Sequence, residues 1–253
     1  DGIDFTSVGS IWFVLDRELG LPHSLLEVDD LRYGDLSAYN VIIIPSSWGP
    51  LGDRLGKGGK ENLDTWVNGG GTLICIGSAA SWAADSSTGL SQVRLRGQRL
   101  EKLDKFAASL KREQAVPVVD TMALWYPEKA PAEKKVEKEA GMSADDAKEL
   151  EAFQRKFSPQ GAFLRVNLDP EFWLSFGMDS SVPVLLAGGT VFLSGPPVKT
   201  VGRFADDKSL RLSGLLWPEA RARIANSAYL TQESHGSGQI ILFADDPYFR
   251  AYF

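Results

Sequence analysis

Two short, uninterrupted apolar runs dominate the hydrophobic pattern, at residues 41–45 and 70–77. Runs of this length are typical of strands that are covered on both faces, as in a parallel sheet. The stretch between them, Lys60–Val67, carries its apolar residues on one helical face and ends in Asn-Gly-Gly, a common helix stop. This strand–helix–strand order predicts a right-handed crossover between two parallel strands.

The same periodicities predict further elements on both sides of this unit. Before it we expect a helix, a short strand and, after the first apolar run, a Gly-rich loop; after Pro159 the chain is rich in short strands. These predicted elements are a helix at 7–19, a strand at 24–28, a loop at 49–59, strands at 162–168, 183–186, 190–193 and 239–244, and a helix at 218–226.

Residues 100–157 differ from both flanking parts. Leu100, Leu103, Phe106 and Leu110 have helical spacing, and a polar stretch rich in Lys and Glu follows at 132–140. We interpret this segment as a helical insertion in a single α/β domain that spans residues 1–253. Its charged run is typical of a solvated helix face.

Composition excludes several classes of function. A chain of 253 residues with 43% hydrophobic and 24% charged residues is typical of a soluble globular protein. A net charge of -6 argues against nucleic acid as a partner, because phosphate binding needs clustered Lys and Arg. The sequence contains no run of 18 or more apolar residues, so no membrane-spanning helix is predicted. The start at Asp1, without Met, leads us to expect a processed product or a piece of a longer protein.

Ser78 is the first candidate for chemistry, because it follows the second apolar strand. A nucleophile elbow there needs Gly two residues before and two residues after the serine, but Ile76 and Ala80 occupy these positions. A serine nucleophile also needs a base within hydrogen-bonding distance. The structural interpretation is that Ser78 caps the next helix.

The single cysteine and the two histidines give no metal or thiol site. Cys75 lies inside the second strand, where an apolar environment makes a thiol inert. His23 and His235 are far apart in sequence, and a zinc site needs at least three protein ligands. We therefore expect no metal and no cofactor in this chain, and an exposed His235 in its Gly/Ser turn.

Asp245 and Asp246 follow the last predicted strand and leave two interpretations open. A carboxylate pair at a strand end suits acid–base catalysis or, with more oxygen ligands, Ca²⁺. Alternatively, Asp246 with Pro247 begins a turn, and Arg250 forms an ion pair with one of the carboxylates. We expect no catalytic residue, and Ser78, Asp245 and Asp246 remain the candidates.

A ligand-binding interpretation rests on two loops at the strand ends. Small residues beyond parallel strands suit the crevice where α/β sheets bind ligands. Trp48 and Trp82 each follow such a loop, and two indoles there are suited to stacking on a sugar or an aromatic group. The candidate binding residues are Ser46, Ser47, Trp48, Ser78 and Trp82.

The sequence resembles the class I glutamine amidotransferase-like fold. The resemblance lies in Asp-Leu-Ser-Ala-Tyr-Asn-Val-Ile-Ile-Ile-Pro at 35–45 and in the segment from Leu63 to Ile74 with its Gly-Gly-Gly-Thr. In that family the first strand leads to the oxyanion loop, the second to a catalytic Cys, and a late strand to a catalytic His. Here these positions hold Gly77 or Ser78 and Asp245–Asp246, so the resemblance implies the fold without the amidotransferase reaction.

A more specific resemblance is to the amidotransferase-like domain that follows the catalytic domain of certain bacterial zinc carboxypeptidases. The segments that carry it are residues 11–17, residues 212–214 and the ending from Gly236 to Arg250. It implies a periplasmic or secreted parent enzyme whose zinc ligands lie in an N-terminal peptidase domain outside this chain. That peptidase domain would be the intramolecular partner.

The sequence therefore predicts a flavodoxin-like three-layer α/β sandwich with a helical insertion and a β-rich second half. The expected function is that of a non-catalytic accessory domain that supports or positions a zinc carboxypeptidase domain. Two alternatives remain open, namely a hydrolase that uses Ser78 with the Ser46 and Ser47 amides as oxyanion donors, and a module that binds a small ligand or a glycan.

Overall fold

The computed structural model describes residues 2–101 and 156–248. The chain divides into two compact units, residues 1–98 with 155–253 and residues 99–154. The predicted helical insertion at 100–157 lies outside the described residues except at its two ends, and it stays a prediction.

The described residues form a mixed α/β fold, with most strands in the second half of the chain. A π-helical turn, Phe13–Glu18, continues the first helix, and a 3₁₀ turn covers Trp173–Ser175. The helices are α1 (Phe5–Trp12), α2 (Val28–Tyr33), α3 (Leu51–Asn68), α4 (Ser78–Ala84), α5 (Arg96–Glu101) and α6 (Pro218–Ile224). The strands are β1 (Val41–Ile44), β2 (Thr72–Ile76), β3 (Arg94–Leu95), β4 (Ala162–Leu168), β5 (Ser181–Leu186), β6 (Phe192–Leu193), β7 (Lys199–Phe204), β8 (Arg211–Ser213), β9 (Ala228–His235) and β10 (Gly238–Phe243).

The described strands belong to one sheet, whose main path runs β1-β2-β10-β9-β7-β4-β5. Only the first three strands of this path are parallel to one another, with Ile43, Ile74 and Ile241 side by side. The remaining pairs are antiparallel, and β6 branches from β9 to reach β3. The predicted parallel pair and the α/β class are both found.

The parallel strands are covered by α3, the longest described helix. Leu55, Leu63 and Val67 recur at helical spacing on its inner face and are fully buried, as are Leu73 of β2 and Ile240 of β10. Burying such aliphatic side chains contributes roughly 1.5–3 kcal/mol each. The core therefore lies between this helix and the parallel strands that lead to the candidate site.

Two local predictions were wrong. The segment 49–59 is not a loop, because α3 begins at Leu51 and includes the glycines of this segment from Gly52 onward. The helix has a break at Gly56, whose φ is 58°. The expected strand at 24–28 is irregular chain that leads into α2. That helix begins with a capping box, in which Glu27 and Asp30 each accept from the other's backbone N–H.

The sequence analysis also missed β7 and β9. In β9 the alternation is masked because Thr231 and Glu233, which are polar, are buried. Both carboxylate oxygens of Glu233 accept a hydrogen bond from the Gln92 backbone N–H, at 3.2 and 3.0 Å. A buried carboxylate that is satisfied in this way looks like a surface position when only the sequence is read.

None of the described helices combines the length and the apolar character that crossing a lipid bilayer requires.

The turn between β9 and β10 packs directly on the end of α3. An added Cβ at Gly238 would lie 2.2 Å from the Gly71 carbonyl oxygen and 2.3 Å from that of Val67. Both obstacles are backbone atoms, so no side-chain rotation relieves the clash. This close approach joins the antiparallel hairpin to the parallel half of the sheet.

We expect Gly238→Ala to lower the free energy of unfolding by about 1–3 kcal/mol, the usual cost of forcing extra atoms into a packed site. Chemical denaturation measures the effect. Gly9→Ala is the matched control, because nothing lies within 4 Å of its added Cβ and the residue is in α1, where Ala is favoured. A Gly238→Ala variant as stable as the control would contradict the packing described.

Candidate functional site

Three loops meet at one rim of the sheet because β1, β2 and β10 are parallel neighbours. Ser46 and Ser47 follow β1, Ser78 follows β2, and Asp245 and Asp246 follow β10. The carboxyl ends of parallel strands are where open α/β sheets bind ligands. This rim, which the sequence predicted from the two apolar runs, is therefore the candidate site.

The hydroxyl of Ser78 is held by the loop after β1. Its Oγ accepts a hydrogen bond from the Ser47 backbone N–H at 2.6 Å and donates to the Ser47 carbonyl oxygen at 2.9 Å. Ser46 Oγ and Ser47 Oγ lie 3.1 and 3.2 Å away. The Ser78 hydroxyl is thus used to tie the two strand ends together.

Ser78 does not cap the helix that follows it, contrary to the sequence expectation. The N-cap of α4 is Gly77, which has no side chain, and the Ser78 backbone N–H donates to Ser46 Oγ at 3.4 Å. Gly77 has a φ of 58°, and an added Cβ would lie 3.0 Å from Ser46 Oγ. A glycine is needed here because L-residues rarely adopt this conformation. The turn is sharp enough to place Ser78 against the β1 loop instead of over the helix end.

The groups that a serine hydrolase needs are not free at this site. The hydrogen bonds of Ser78 within the described residues reach only Ser46 and Ser47. The two amides expected to form the oxyanion hole are also occupied, since Ser47 N–H donates to Ser78 itself and Ser46 N–H donates to Ser7 Oγ at 3.4 Å. An oxyanion hole requires donors that are aimed at the substrate.

One carboxylate does join this network, but it is not positioned as a base for Ser78. The Ser7 side chain lies close enough to Asp246 to lower the pKa of its carboxyl group, and Ser7 Oγ accepts from the Ser46 backbone N–H. A backbone amide does not pass a proton on, so the chain from Asp246 to Ser78 is interrupted. The network is structural: it joins α1 to the ends of β1 and β10.

Cys75 lies in the core, as the sequence predicts. It is fully buried in β2, and burial raises the pKa of its thiol to about 12. A thiol in this environment stays protonated and unreactive near neutral pH.

The histidines lie away from the rim. The His23 ring is exposed and contacts the Leu21 carbonyl oxygen at 3.0 Å. His235 is not simply exposed, as expected from its turn, because its Nε2 lies 2.7 Å from Asp64 Oδ1 of α3. This pair is at the end of the parallel strands opposite Ser78. Within the part of the chain that the structure describes, no three His, Cys, Asp or Glu residues form a group suited to a metal ion.

The acidic pair after β10 is half-buried and bound to backbone amides. Asp245 Oδ2 accepts from Ala187 N–H at 2.7 Å, and Asp245 Oδ1 accepts from Asp246 N–H at 2.9 Å. Asp246 Oδ1 accepts from Tyr248 N–H at 2.9 Å, which forms the predicted turn. Burial is the main cause that raises the pKa of both carboxyl groups. The predicted ion pair with Arg250 lies outside the described residues.

Of the two candidate tryptophans, Trp82 lines the cleft beside Ser78 and Trp48 does not. Trp82 lines an open cleft of about 610 Å³ together with Ser78, Lys57 and Lys60, and its indole packs on Gly52. Trp48 is 71% exposed and instead meets Phe5 edge-on, with ring centroids 6.1 Å apart.

Comparison with known proteins gives remote similarity only. No family model matches the chain, and no curated protein sequence matches it. Three bacterial structures are similar over three quarters of their own length. The first is the cytoplasmic protein STM1381 from Salmonella typhimurium LT2, with 13% identity over 95% of this chain and 75% of that chain and a TM-score of 0.44. The second is a ThuA-like protein from Bacteroides uniformis ATCC 8492, with 11% identity over 97% of this chain and 76% of that chain and a TM-score of 0.45. The third is the cytoplasmic protein STM3548 from Salmonella typhimurium, with 10% identity over 96% of this chain and 75% of that chain and a TM-score of 0.43.

The raised pKa of Asp246 predicts a pH-dependent stability. The pKa of this carboxyl group is higher in the folded state than in the unfolded state. Its contribution to the free energy of unfolding is therefore fully present below the unfolded-state pKa, and it is lost as the pH rises through the folded-state pKa. The side chain in the Asp246→Asn variant does not ionise, so the variant does not lose this stability as the pH rises. Its amide N–H can donate to Ser7 Oγ. We expect the Tm of the variant minus that of the wild type to increase by a few degrees between pH 4 and pH 7.

Thermal unfolding at several pH values in one ionic strength measures this difference. The charged and titratable neighbours of Asp246 are Asp4, Tyr229, Asp245 and Tyr248, and all four are unchanged in the variant. Asp179→Asn, at an exposed position, is the control and should show no such trend. A difference that is constant with pH, or that falls as the pH rises, would refute the assigned burial of Asp246.

Proposed function

We propose that this chain is a non-catalytic accessory domain of the class I amidotransferase-like type, which supports or positions the peptidase domain of a periplasmic or secreted zinc carboxypeptidase-like protein. One observation carries the non-catalytic part: the Ser78 hydroxyl, at the position of the nucleophile, is bound on both sides by the Ser47 main chain. The zinc belongs to the peptidase domain, and this chain contributes no ligand to it.

The finer fold assignment is supported by the order of the three rim loops. In the family that the sequence resembles, neighbouring parallel strands carry the oxyanion loop, the nucleophile and the late catalytic segment. Here the corresponding loops hold Ser46–Ser47, Ser78 and Asp245–Asp246 after β1, β2 and β10, which are adjacent and parallel. This order favours a flavodoxin-like sandwich of that class whose catalytic side chains have been replaced.

The accessory role is supported by exposed aromatic surface beside the rim. Phe5 is 72% exposed and Trp48 is 71% exposed, and the two rings contact each other. The main chain brings them together, because Trp48 N–H donates to the Gly2 carbonyl oxygen at 3.0 Å. Exposed apolar side chains that cluster are typical of surfaces that bind another protein or domain. We assign this Phe5–Trp48 pair as the contact with the peptidase domain.

The cleft beside Ser78 keeps small-ligand binding as a second candidate function. Trp82 offers an apolar face, while Lys57, Lys60, Asp53 and Asp85 contribute charges of both signs to the same cleft. This combination of an indole with polar groups suits a small polar or glycan-like molecule. The hydrolase alternative has no comparable support, because both predicted oxyanion amides are already occupied.

The non-catalytic assignment predicts that a fluorophosphonate serine probe does not label the folded protein. Ser78→Ala should lower the free energy of unfolding by about 1–3 kcal/mol instead, because it leaves the Ser47 N–H without its partner. Labelling read by mass spectrometry and chemical denaturation measure the two effects. Ser10→Ala, whose hydroxyl bonds only to its own helix at Thr6, is the stability control. Covalent labelling at Ser78 would refute the proposal.

The accessory assignment predicts a peptidase region in the coding sequence upstream of Asp1, and a stability effect in that parent protein. We expect Phe5→Ser with Trp48→Ser to lower the Tm of the peptidase domain in the parent by a few degrees, with little effect on residues 1–253 alone. Calorimetry of both proteins measures this. Phe176→Ser, at a 90% exposed aromatic outside the pair, is the control. An upstream sequence without a zinc peptidase region would end this proposal.

A further inference from the structure

The cleft beside Ser78 lies between two helical segments. One wall is the first half of α3, and the other is formed by α4 and the loop that follows it, through Trp82 and Asp85. Its volume of about 610 Å³ falls within the range of small-molecule sites in proteins. The cleft is therefore large enough for a small cyclic ligand.

Glycines keep the α3 wall of this cleft open beside the indole of Trp82. An added Cβ at Gly52 would lie 3.2 Å from Cδ1 and from Nε1 of Trp82, and nothing lies within 4 Å of an added Cβ at Gly56. Both glycines line the cleft. Trp82 is half-buried, and its indole N–H has no hydrogen-bond partner among the described residues. The indole thus contributes an apolar surface and a free donor to the same space.

The charged groups of the cleft have both signs. Asp53, Lys57 and Lys60 lie on α3 and Asp85 lies on the other wall, so the two carboxylates and the two ammonium groups cancel in formal charge. Lys57 pairs with Glu61 at 3.5 Å, whereas Lys60 and Asp53 form no ion pair among the described residues. A ligand of one charge sign would meet attraction and repulsion together, so the lining favours a neutral polar ligand.

Asp85 is a fixed hydrogen-bond acceptor. Its Oδ1 accepts from the Ser87 N–H and from Ser87 Oγ, both at 2.7 Å, and its Oδ2 accepts from Gln98 Nε2 at 2.8 Å. The hydrogen bond from the Ser87 hydroxyl is the largest cause that lowers the pKa of Asp85. A carboxylate has about four acceptor positions, so one position remains open on Oδ2. An acceptor that is already oriented suits a ligand hydroxyl group.

We propose that this cleft binds a neutral pyranose sugar with equatorial hydroxyl groups, whose C–H face stacks on the Trp82 indole. The sugar hydroxyl groups donate to Asp53 and Asp85 and accept from Lys60. A hydroxyl group both donates and accepts, which matches carboxylate acceptors beside an ammonium donor. The axial C–H bonds of such a ring form an apolar face that suits a large aromatic surface with a polar tip. This proposal rests on the second candidate function above and not on the accessory role.

A free sugar and a residue of a glycan chain could present the same ring. Methyl β-D-glucopyranoside is the probe for a free sugar, and cellotetraose is the probe for a chain. Sorbitol has the hydroxyl groups without the ring, glucuronate adds a negative charge to the ring, and glycylglycine has charges of both signs without a sugar.

The experiment records ¹H–¹⁵N correlation spectra of the full chain during titration with each probe. The 7 tryptophans give separate indole N–H signals, and Trp82→Phe identifies the signal of Trp82 by its loss. We expect one or both sugars to shift this signal in a saturable manner, with half-saturation in the millimolar range that is usual for a ligand of this size. Sorbitol and glycylglycine should leave it in place, and glucuronate should bind no more tightly than the glucoside.

Two variants locate the sugar in the cleft. Lys60→Met and Asp85→Asn should each raise the half-saturation concentration about tenfold, because each removes a hydrogen bond to a charged group. The unshifted signals of the spectrum show that each variant is folded. Lys208→Met and Asp179→Asn, at exposed positions outside the cleft, are the matched controls and should bind as the wild type does.

The outcomes separate the two sources and test the proposal independently of the accessory role. A response to the glucoside supports a free sugar, and a response to cellotetraose alone supports a chain. No saturable shift of the Trp82 signal with either sugar, an equal shift with sorbitol or glycylglycine, tighter binding of glucuronate, or unchanged binding in both cleft variants would overturn the sugar site. None of these results bears on the peptidase contact assigned to Phe5 and Trp48.

Discussion

The parallel pairing of β2 with both β1 and β10 is the constraint on which the rest of this structure depends. Its register sets Ile43, Ile74 and Ile241 side by side, so the three strands end at the same level. Whatever follows each strand must then meet at one rim. Aliphatic burial under α3 holds this register, because a slip of one residue would turn the apolar side chains of a strand to the wrong face.

The polar residues at that rim satisfy one another instead of presenting themselves to a substrate. Ser78 binds the main chain of Ser47, and the backbone N–H of Ser46 binds Ser7 Oγ. This arrangement resolves a problem that every parallel sheet has at its carboxyl edge, where backbone amides of the loops need partners. In an enzyme some of these amides stay free for a developing negative charge. In this protein they are used within the fold, which supports a structural role for the rim.

The acidic end of β10 connects the two halves of the sheet. Asp245 accepts from the amide of Ala187, which follows β5 at the far end of the main strand path, so the sheet must curl to bring these residues together. The same strand end carries the cost of half-buried carboxylates, whose pKa values are raised mainly by burial.

The hydrophobic pattern by itself determined the parallel pair, the strands β4, β5 and β10, the helix that crosses between β1 and β2, and the core position of Cys75. It also located the rim, because strand ends follow from strand limits. These are local signals, carried by runs of four to eight apolar residues. The same reasoning failed at 49–59, where glycines suggested a loop, and at β9, where Thr231 and Glu233 face inward and hide the alternation.

Only the tertiary structure decided what the rim residues do. Ser47 and Ser78 are 31 residues apart, and Asp245 and Ala187 are 58 apart, so no local pattern could show that one binds the other. The same holds for His235 with Asp64, for the contact of Trp48 with Phe5, and for the burial of Tyr229. Sequence periodicity reports which face of an element is apolar, whereas hydrogen bonds between distant loops depend on how the elements pack.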